Sequence, residues 1–508
     1  MMPRVISGVV IVGASLAISP APPRAAARDA ERPPHILFLM ADQFRADCLG
    51  ADGNSVIQTP ALDRLAAEGA RFRHAYTSTP SCTPARAAIL TGLSPWRHGM
   101  LGYGRVAEEY PRELPRLLRA AAYYGLGIGK MHYHPQRNPH GFHLTILDES
   151  GRVESEGFRS DYRSWFLSRA PTLDPDATGI GWNDYRGGEY ALPEELHPTR
   201  WTGDVAVEFL RRYRGEAPFF LKVSFARPHS PYDPPPRLLS RYRDADVPPP
   251  AIGDWAARND LPADPAQYQL WRGNLGREQA LASRRAYYAS VSFIDEQVGR
   301  ILDALEERRL LDDTLILFTS DHGDMLGDHH LWRKTYAYEG SARIPLLIRW
   351  PRRWAWQRGQ VLEQPVELRD LLPTFLDAAG VSLDTDPFDG RSLLALVRGE
   401  TAGWREVIDL EHSQCYAPEN HWNALTDGRA KYIFSAYDGG EQLFDLTRDP
   451  QECNDLARDP AAAGELAAWR ARMVAHLAER GPDFVKDGAL VAPRRNVLYS
   501  PHYPKPAE

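Results

Sequence analysis

Two apolar stretches of the sequence each end in polar side chains that could bind a metal ion. Asp42 and Gln43 follow the first stretch, and Asp321 and His322 follow the second. Two parallel strands that end side by side would bring these four side chains together at one edge of a sheet. Two carboxylates, an amide oxygen and an imidazole can hold a divalent cation. The sequence therefore predicts a metal site built from two strand ends.

A cysteine stands at the start of a predicted helix in the segment Cys82-Thr83-Pro84-Ala85-Arg86. Pro84 suits the first turn of a helix, where its missing N–H costs nothing, and the residues that follow favour a helix. Unpaired N–H groups and the positive end of the helix dipole favour an anion there. Arg86 adds a fixed positive charge one turn into the helix. The segment thus predicts an anion site beside Cys82.

Three more segments place lysine or histidine side chains next to turns. They are Gly129-Lys130-Met131-His132, Pro228-His229-Ser230-Pro231-Tyr232 and Leu331-Trp332-Arg333-Lys334. Together with the cysteine segment, they resemble the active-site segments of the sulfatases in the order of that family. C-x-P-x-R resembles the sulfatase signature, whose cysteine is oxidised after translation to formylglycine. The run from Ser320 to His329 resembles the segment with the second pair of sulfatase metal ligands.

The resemblance implies a role for each matching residue. Lys130 and Lys334 would bind the sulfate, and with Arg86 and the metal they would stabilise the transferring SO₃ group. His132 would contact the formylglycine, and His229 would be the second active-site histidine. The matching segments are spread from residue 36 to residue 334, and the resemblance covers the predicted large domain.

The resemblance also implies how a sulfate monoester would be cleaved. One hydroxyl of the hydrated formylglycine at residue 82 would attack sulfur, and Asp321 would accept or share its proton. His229 or Lys334 would protonate the departing alcohol oxygen. His132 would then remove the proton of the other hydroxyl, so that the aldehyde re-forms and sulfate leaves. A serine in place of the formylglycine would need a separate hydrolysis step.

The predicted metal site departs from the common sulfatase pattern at two positions. Many sulfatases carry a second Asp where this chain has Gln43, and Asn where it has His322. Calcium prefers oxygen ligands, whereas manganese and zinc tolerate imidazole, so we expect one divalent ion with calcium only weakly preferred over manganese or zinc. The Gln and His pair resembles the choline sulfatases and phosphonate monoester hydrolases of the alkaline phosphatase superfamily.

Strand and helix patterns alternate through about residue 380, which favours an α/β fold. Tyr287, Val291, Ile294, Val298, Ile301 and Leu305 recur at helical spacing and predict a long amphipathic helix. We expect a large, doubly wound, mostly parallel sheet flanked by helices, with a smaller α+β domain that carries an antiparallel sheet. The expected boundaries are 34–385 for the catalytic domain, 400–490 for the C-terminal subdomain and 491–508 for a tail.

The N-terminus has the pattern of a secretory signal over residues 1–27. Arg4 gives a positive start, and Val5 to Ile18 form an apolar run shorter than the ~20 residues that span a bilayer. Ala25-Ala26-Ala27 offers a cleavage site of small residues. We therefore expect an exported protein, either periplasmic or secreted, with no stable membrane partner; an uncleaved signal that tethers the protein is the alternative.

Charge and cysteine content limit the partners and the covalent framework. The net charge of -7 indicates no polyanion-binding surface and hence no nucleic-acid partner. The expected partners are a sulfated small molecule or glycan and a formylglycine-generating maturation enzyme. If Cys82 is modified, Cys48, Cys415 and Cys453 leave room for one disulfide, whose partners the sequence does not identify.

These observations leave several functions to compare. The first is a sulfuric ester hydrolase that acts on a sulfated carbohydrate, because exported sulfatases more often act on glycans. The residues that contact the glycan are expected in 150–200, in 231–265 and near His412 to Trp422. The second is a phosphonate monoester hydrolase, phosphodiesterase or choline sulfatase with the same nucleophile. A glycan-binding protein without catalysis would not need every catalytic residue type, and a two-zinc phosphatase would need more Asp and His ligands.

Overall fold

The computed structural model describes residues 32–264, 267–382, 388–492 and 495–504. The predicted signal peptide, residues 1–27, lies outside the described residues, as do the last four residues of the predicted tail. Among the described residues, no helix combines the length and the apolar character needed to cross a membrane.

The secondary structure follows the predicted alternation. The β-strands are β1 His35–Asp42, β2 Ala70–Phe72, β3 Ala75–Tyr76, β4 Tyr124–Gly129, β5 Leu144–Leu147, β6 Phe219–Pro228, β7 Thr314–Ser320, β8 Leu346–Arg349, β9 Gln360–Leu362, β10 Val366–Glu367, β11 Ile408–His412, β12 Trp422–Thr426, β13 Ala430–Ser435, β14 Glu441–Asp445, β15 Val485–Lys486 and β16 Ala489–Leu490. The α-helices are α1 Pro60–Ala67, α2 Cys82–Thr91, α3 Pro95–His98, α4 Leu114–Ala120, α5 Asp161–Arg169, α6 Pro198–Arg212, α7 Pro236–Tyr242, α8 Arg277–Glu307, α9 Glu339–Ala342, α10 Leu371–Ala378, α11 Leu393–Val397 and α12 Ala463–Leu477. Short 3₁₀ helices cover Gly50–Asp52, Glu194–Leu196, Ala256–Asn259, Leu311–Asp313, Asp328–His330, Leu368–Asp370, Leu456–Arg458, Pro460–Ala462 and Ala478–Arg480.

An eight-stranded sheet forms the centre of the fold, with the strand order β5-β4-β6-β1-β7-β8-β2-β9. Strands β5, β4, β6, β1 and β7 run parallel to one another, whereas β8 is antiparallel to both β7 and β2. This arrangement confirms the predicted mostly parallel sheet. It also places the carboxyl ends of β6, β1 and β7 side by side, because these three strands are adjacent.

The central strand β1 is buried on both faces. Leu37 and Leu39 belong to a hydrophobic layer formed with α6 and α8. Ile36 and Phe38 belong to the opposite layer, formed with α2 and α10. A strand covered on both faces by helices is expected to read as a continuous apolar run. This double burial explains why β1 is visible in the sequence.

The long helix α8 confirms its predicted pattern and supports the turn after β1. Its apolar residues at helical spacing all lie in the layer against the sheet. Tyr287 of α8 accepts a hydrogen bond from the backbone N–H of Arg45 at 2.9 Å and donates one to the carbonyl of Gln43 at 2.5 Å. The helix therefore fixes the backbone that carries the first pair of predicted metal ligands.

Helix α2 begins at Cys82, as the sequence predicts, with Ser81 as its N-cap residue. It ends at Gly92, whose backbone has φ 69° and whose N–H bonds the carbonyl of Ala88. Every residue of α2 is buried. A polar Cys82 and a charged Arg86 on a fully buried helix require partners inside the protein.

The C-terminal part forms the predicted smaller α+β unit. Its antiparallel sheet has the order β11-β12-β13-β14, as expected for the smaller domain. Tyr432 and Trp469 pack in a cluster between this sheet and α12. Ile433 and Phe444 face the large domain and contact a cluster that includes Tyr76.

Two stretches that were expected to carry glycan-facing residues, 150–200 and 231–265, contain helices. Residues 150–200 include α5, and residues 231–265 include α7. Only Tyr162 and Phe166 of α5 are buried, so the apolar pattern is too sparse to be recognised. Both residues pack on Trp201 of α6, so tertiary contact stabilises a helix that periodicity does not reveal.

All four cysteines are free thiols. Cys48 and Cys82 are buried, and Cys415 and Cys453 are partly buried. The disulfide that the sequence allowed among Cys48, Cys415 and Cys453 is therefore not formed.

Candidate active site

The carboxyl ends of β1 and β7 bring the two predicted ligand pairs together. Ala41 is in register with Ser320, so Asp42 and Asp321 follow at neighbouring positions. The backbone N–H of Gln43 donates to the Asp321 carboxylate at 3.1 Å. Strand β6 ends beside them, because the N–H of His229 donates to the carbonyl of Asp42 at 3.0 Å. Three strand ends thus form one buried polar site.

Four side chains at this site could hold a metal ion. Asp42, Cys82, Asp321 and His322 are buried, and one donor atom of each lies within 4.8 Å of all the others. Cys82 Sγ lies 3.1 Å from His322 Nε2 and 3.7 Å from Asp42 Oδ1. His322 Nδ1 donates to the carbonyl of Gly323 at 2.9 Å, which leaves Nε2 to face the cluster. Two carboxylates and an imidazole nitrogen suit a divalent ion.

Gln43 lies at the same strand end, but its amide already has two partners. Its nitrogen donates to Asp324, and its oxygen accepts from Lys334 Nζ at 2.9 Å. These two contacts also fix which atom of the amide is the oxygen. An amide oxygen has two lone pairs, so one lone pair remains for a metal ion. Its role as a ligand therefore stays a prediction.

Two cations compensate the buried carboxylates. Arg86 Nη2 lies 3.0 Å from Asp42 and 2.9 Å from Asp321, and its Nη1 donates to the carbonyl of Lys130 at 2.5 Å. Lys130 Nζ lies 2.5 Å from Asp42 and 3.8 Å from Cys82 Sγ. Burial raises the pKa of Asp42, but Lys130 and other nearby cations outweigh it, so that its pKa lies well below the usual value.

The Cys82 thiol lies in a field that favours its negative form. Burial and Asp42 raise the pKa of Cys82, whereas Lys130, Lys334 and His322 lower it, and the net shift is downward. Its position as the first residue of α2 adds the positive end of the helix dipole. Residue 82 therefore lies where an anion is stabilised, as the sequence predicts.

Lys334 and His229 form a second buried pair. Lys334 Nζ lies 2.6 Å from His229 Nε2, and His229 Nδ1 donates to the carbonyl of Ser230 at 3.0 Å. His229 Nε2 therefore accepts, and the proton between the two belongs to the lysine. Burial and then the charge of Lys334 hold the pKa of His229 well below its usual value. Burial also lowers the pKa of Lys334.

His132 is held on the other side of Lys130. Its backbone N–H and that of Met131 both donate to Glu149 at 2.9 Å, and its Nε2 contacts Arg152. Its buried Nδ1 has no hydrogen-bond partner among the described residues. Burial and the charge of Arg152 hold the pKa of His132 well below its usual value. His132 is thus a neutral imidazole whose Nε2 accepts from Arg152 and whose Nδ1 carries the proton.

Most of the chain, including all the strand ends described above, matches a model of a known protein family. The model, described as Sulfatase, covers residues 34–381. The chain belongs to the sulfatase family. A second model, for the C-terminal part of N-sulphoglucosamine sulphohydrolase, matches residues 327–479 of this sulfatase.

Relatives of this sulfatase confirm the assignment. It is 39% identical to an arylsulfatase of Clostridium perfringens over 82% of this chain and 89% of the relative. It is 34% identical to a choline-sulfatase of Rhizobium meliloti over 82% of this chain and 81% of the relative. The structure of the phosphonate monoester hydrolase of Agrobacterium radiobacter matches with a TM-score of 0.75 and 26% identity, over 89% of this chain and 96% of that chain. The protein is thus an enzyme of the alkaline phosphatase superfamily that hydrolyses sulfate esters.

The sulfatase site contains residues that the sequence analysis did not name. Arg152, Trp182 and Asn183 come from the stretch 150–200, which was expected to carry glycan-facing residues. The Trp182 ring stacks on His229 with centroids 3.7 Å apart, and Lys130 Nζ lies 4.6 Å from its centre. Asn183 Oδ1 lies 3.5 Å from Lys334 Nζ. Only their position in a long stretch of weak periodicity pointed to them.

Asp324 is a further residue that sequence reasoning missed. Its carboxylate accepts from the Gln43 amide and from the Tyr232 hydroxyl at 2.5 Å. It also accepts the backbone N–H of Arg333 at 3.0 Å. Asp324 therefore joins the turn after β1 to the segment that carries Lys334. It lies in the Ser320–His329 segment, where the resemblance drew attention to Asp321 and His322 only.

We expect Trp182→Ala to lower kcat/KM for an aryl sulfate between about 10- and 100-fold. Loss of the indole frees the imidazole of His229 to move, and misplacement of a catalytic group by about 1 Å can cost 10²-fold. Steady-state kinetics would show the effect, with Trp182→Phe retaining most of the activity. Trp165→Ala is the control, because Trp165 lies in the same stretch but contacts Tyr162 and Trp201. Unchanged turnover in Trp182→Ala would show that Trp182 does not hold His229 in position.

Proposed function

We propose that this sulfatase cleaves sulfate monoesters with a formylglycine formed from Cys82 and one divalent metal ion. The observation that carries the proposal is the charge around residue 82. Arg86, Lys130 and Lys334 surround it, and Asp42 and Asp321 balance only part of their charge. A buried excess of positive charge is costly unless an anion enters. A sulfate ester is such an anion.

Asp42, Asp321 and His322 are the residues that would hold the metal ion, with Gln43 as a fourth ligand. The Cys82 thiol occupies the position where an oxygen of the formylglycine hydrate would complete the set. A divalent ion would supply charge neutralisation at the sulfate and at the attacking oxygen. The imidazole of His322 makes us expect calcium only weakly over manganese or zinc.

The formylglycine hydrate would supply the oxygen that bonds to sulfur, in place of the thiol of Cys82. The chain's own residues bind and orient the ester around it. Lys130 and Lys334 both act electrostatically on residue 82, and Arg86 holds the carboxylates of Asp42 and Asp321 in place. Charges fixed in advance in a water-poor site stabilise the transferring SO₃ group without reorganisation.

Lys334 is the residue that we propose as the proton donor to the departing alcohol oxygen. His229 Nε2 accepts from Lys334, so the imidazole has no proton to give on that side. The lowered pKa of Lys334, caused by burial, makes its proton easier to transfer. His229 then positions the ammonium group, and Trp182 keeps water from both.

His132 is the residue that we propose as the base that releases sulfate. The Arg152 guanidinium can only donate, so Nε2 of the neutral ring carries the lone pair, and Nε2 would remove the proton from the second hydroxyl at residue 82. The bond between the carbon of residue 82 and the oxygen attached to sulfur then breaks, so that sulfate leaves and the aldehyde re-forms. Arg152, held by Glu149 at 2.6 Å, keeps the ring from turning.

The substrate that we propose is a sulfated carbohydrate. The export pattern of residues 1–27 supports an extracellular or periplasmic substrate, and a formylglycine-generating enzyme would act on the chain before it is active. Phosphonate monoesters or phosphodiesters are the second candidate, because the Gln43 and His322 pair and the likeness to a phosphonate monoester hydrolase both favour them. A singly charged phosphodiester carries the same charge as a sulfate ester, so the charges of the site fit both substrates.

The comparison of kcat/KM on an aryl sulfate and on an aryl phosphonate monoester tests this choice. Enzyme matured by co-expression with a formylglycine-generating enzyme should prefer the sulfate. A clear preference for the phosphonate would assign the second function. Activity on sulfated mono- and oligosaccharides, measured as released sulfate, would then identify the sugar.

Lys334→Ala is expected to lower kcat/KM on an aryl sulfate by 10²–10³, the order seen when one preorganised charge-stabilising group is lost. Lys130→Ala should have a similar effect, and the double variant should lose less than the sum, because both lysines act on one anion. Steady-state kinetics with the aryl sulfate would measure all three variants.

The control for the lysine variants is Lys486→Ala, because Lys486 is exposed on β15. Removing Lys334 leaves Gln43 and His229 without a donor but relieves repulsion with Lys130, so the melting temperature should change by no more than about 4 °C. Unfolding of Lys334→Ala, or full sulfate ester turnover by it, would contradict the assigned role.

A further inference from the structure

A second cavity lies behind the segment that carries Lys334. It has a volume of about 430 Å³, within the ~300–1,000 Å³ range of small-molecule sites. One wall is the segment from Leu331 to Tyr338, and the opposite wall belongs to β13 and β14 of the C-terminal sheet. Tyr336, which lines the cavity, is two residues from Lys334, so the backbone positions are at most about 7 Å apart.

Alternating arginine and aromatic side chains connect the catalytic segment with this cavity. The Arg333 guanidinium lies 4.4 Å from the centre of the Tyr416 ring, and Tyr416 stacks on Trp271 at 5.9 Å. Arg272 in turn lies 4.5 Å from the centre of Trp271. Trp271 and Arg272 both line the cavity, whereas Arg333 directly precedes Lys334. The stack therefore runs without interruption from the residue before Lys334 to the lining of the cavity.

The cavity lining offers flat apolar faces together with unused hydrogen-bonding groups. His421 is 6% exposed, and its Nδ1 has no partner among the described residues. Gln442 accepts from the Tyr338 hydroxyl at 2.7 Å through its oxygen, so its amide nitrogen remains to donate. Tyr437 is 38% exposed at the rim. Aromatic faces with a few convergent polar groups suit a ring that has both C–H faces and hydroxyls.

The charges around the cavity balance one another. Arg258 and Arg272 line it, and so do Glu419 and Asp438. Arg272 and Glu419 form an ion pair at 3.3 Å. The catalytic site, by contrast, has an excess of cations. The cavity is therefore suited to an uncharged polar ligand rather than to a second sulfate.

We propose that this cavity binds an uncharged sugar ring of the same glycan whose sulfate ester is cleaved at residue 82. This inference rests on the proposed function, because it needs a carbohydrate as the alcohol part of the ester. The backbone positions of Lys334 and of the cavity-lining Tyr336 are at most about 7 Å apart, a distance that a short oligosaccharide can span. The ring would stack on the aromatic wall and exchange hydrogen bonds with His421 and Gln442.

The test compares sulfated sugars with and without a neutral neighbouring ring. The probes are a keratan sulfate disaccharide against its sulfated N-acetylglucosamine alone, and a neocarrabiose sulfate against its sulfated galactose alone. For the pair that the matured enzyme cleaves, kcat/KM for the disaccharide should be at least about tenfold higher than kcat/KM for the sulfated monosaccharide. Tyr437→Ala and Gln442→Ala should each remove most of this advantage, while turnover of an aryl sulfate stays the same.

Gln360→Ala is the matched control, since Gln360 is likewise half-buried but lies on β9 at the edge of the large sheet. The inference is wrong if the disaccharide has no advantage, or if both variants keep it. It is also wrong if the variants weaken disaccharide and aryl sulfate turnover equally. If the enzyme turns over the aryl sulfate but none of the four sugars, the inference about the cavity is wrong and sulfate ester hydrolysis is still supported. If it turns over neither the aryl sulfate nor the sugars, both the inference and the proposed function are wrong.

Discussion

Replacing Cys82 by alanine should lower kcat on an aryl sulfate by a factor on the order of 10⁴–10⁶, the loss that follows removal of a nucleophile. An alanine cannot become the aldehyde whose hydrate attacks sulfur. The lysines, Arg86 and the metal ligands would remain in place, so substrate binding should survive better than turnover. Steady-state kinetics and a competition assay with inorganic sulfate would separate the two effects.

The fold should tolerate the Cys82 change. The thiol is buried, and its polar neighbours keep other partners: Asp42 keeps Arg86 and Lys130, and His322 keeps Gly323. Cys48→Ala is the matched control, because Cys48 is also a buried free thiol. We expect normal turnover from it and near-normal melting temperatures from both. Near-normal kcat in Cys82→Ala would show that another group is the nucleophile.

The parts of the site that could be predicted lie on regular elements. Asp42 is the last residue of β1 and Asp321 directly follows β7, and both strands are buried on both faces, so each apolar run in the sequence ends at a predicted ligand. Cys82 starts a helix whose proline and alanines mark its first turns. In each case a local sequence pattern determines where the strand or helix begins or ends, and that element determines the position of the side chain.

The parts that could not be predicted depend on contacts between distant segments. Trp182 reaches His229 from a stretch with no regular pattern, and no feature near it in the sequence distinguishes it from other tryptophans. Asp324 joins Gln43 to Arg333, which are far apart in the chain. The proton shared between Lys334 and His229 requires two segments that lie 105 residues apart in the chain to meet. Tertiary packing alone decides these three features.

Removal of the metal ion should reduce turnover by about 10³ or more, because a Lewis-acid metal contributes several kcal/mol and each 1.36 kcal/mol is tenfold. Asp321→Asn should weaken metal binding, since it removes one carboxylate charge and disturbs Arg86, which bridges Asp321 and Asp42. Elemental analysis, chelation followed by back-titration, and melting temperature against metal concentration would measure this. A ligand that binds only the folded state raises the melting temperature.

The control for Asp321→Asn is Asp295→Asn. Asp295 is a buried aspartate of α8 that accepts the backbone N–H groups of Ala61 and Leu62. Burial raises the pKa of Asp295 to about 7, so a neutral amide is a mild change there. We expect unchanged metal affinity from it. Fully active enzyme without a stoichiometric divalent ion would contradict the proposed metal site.

The central claim is that residue 82 is the reactive group in its aldehyde form. The most direct measurement is the mass spectrum of the peptide that contains residue 82, taken on preparations with different degrees of maturation. We predict a peptide lighter than the thiol form. Its fraction should rise in proportion to the specific activity on the sulfate ester and should be zero in preparations without activity. A preparation that contains only the thiol at residue 82 and turns over the ester at the full rate would contradict it.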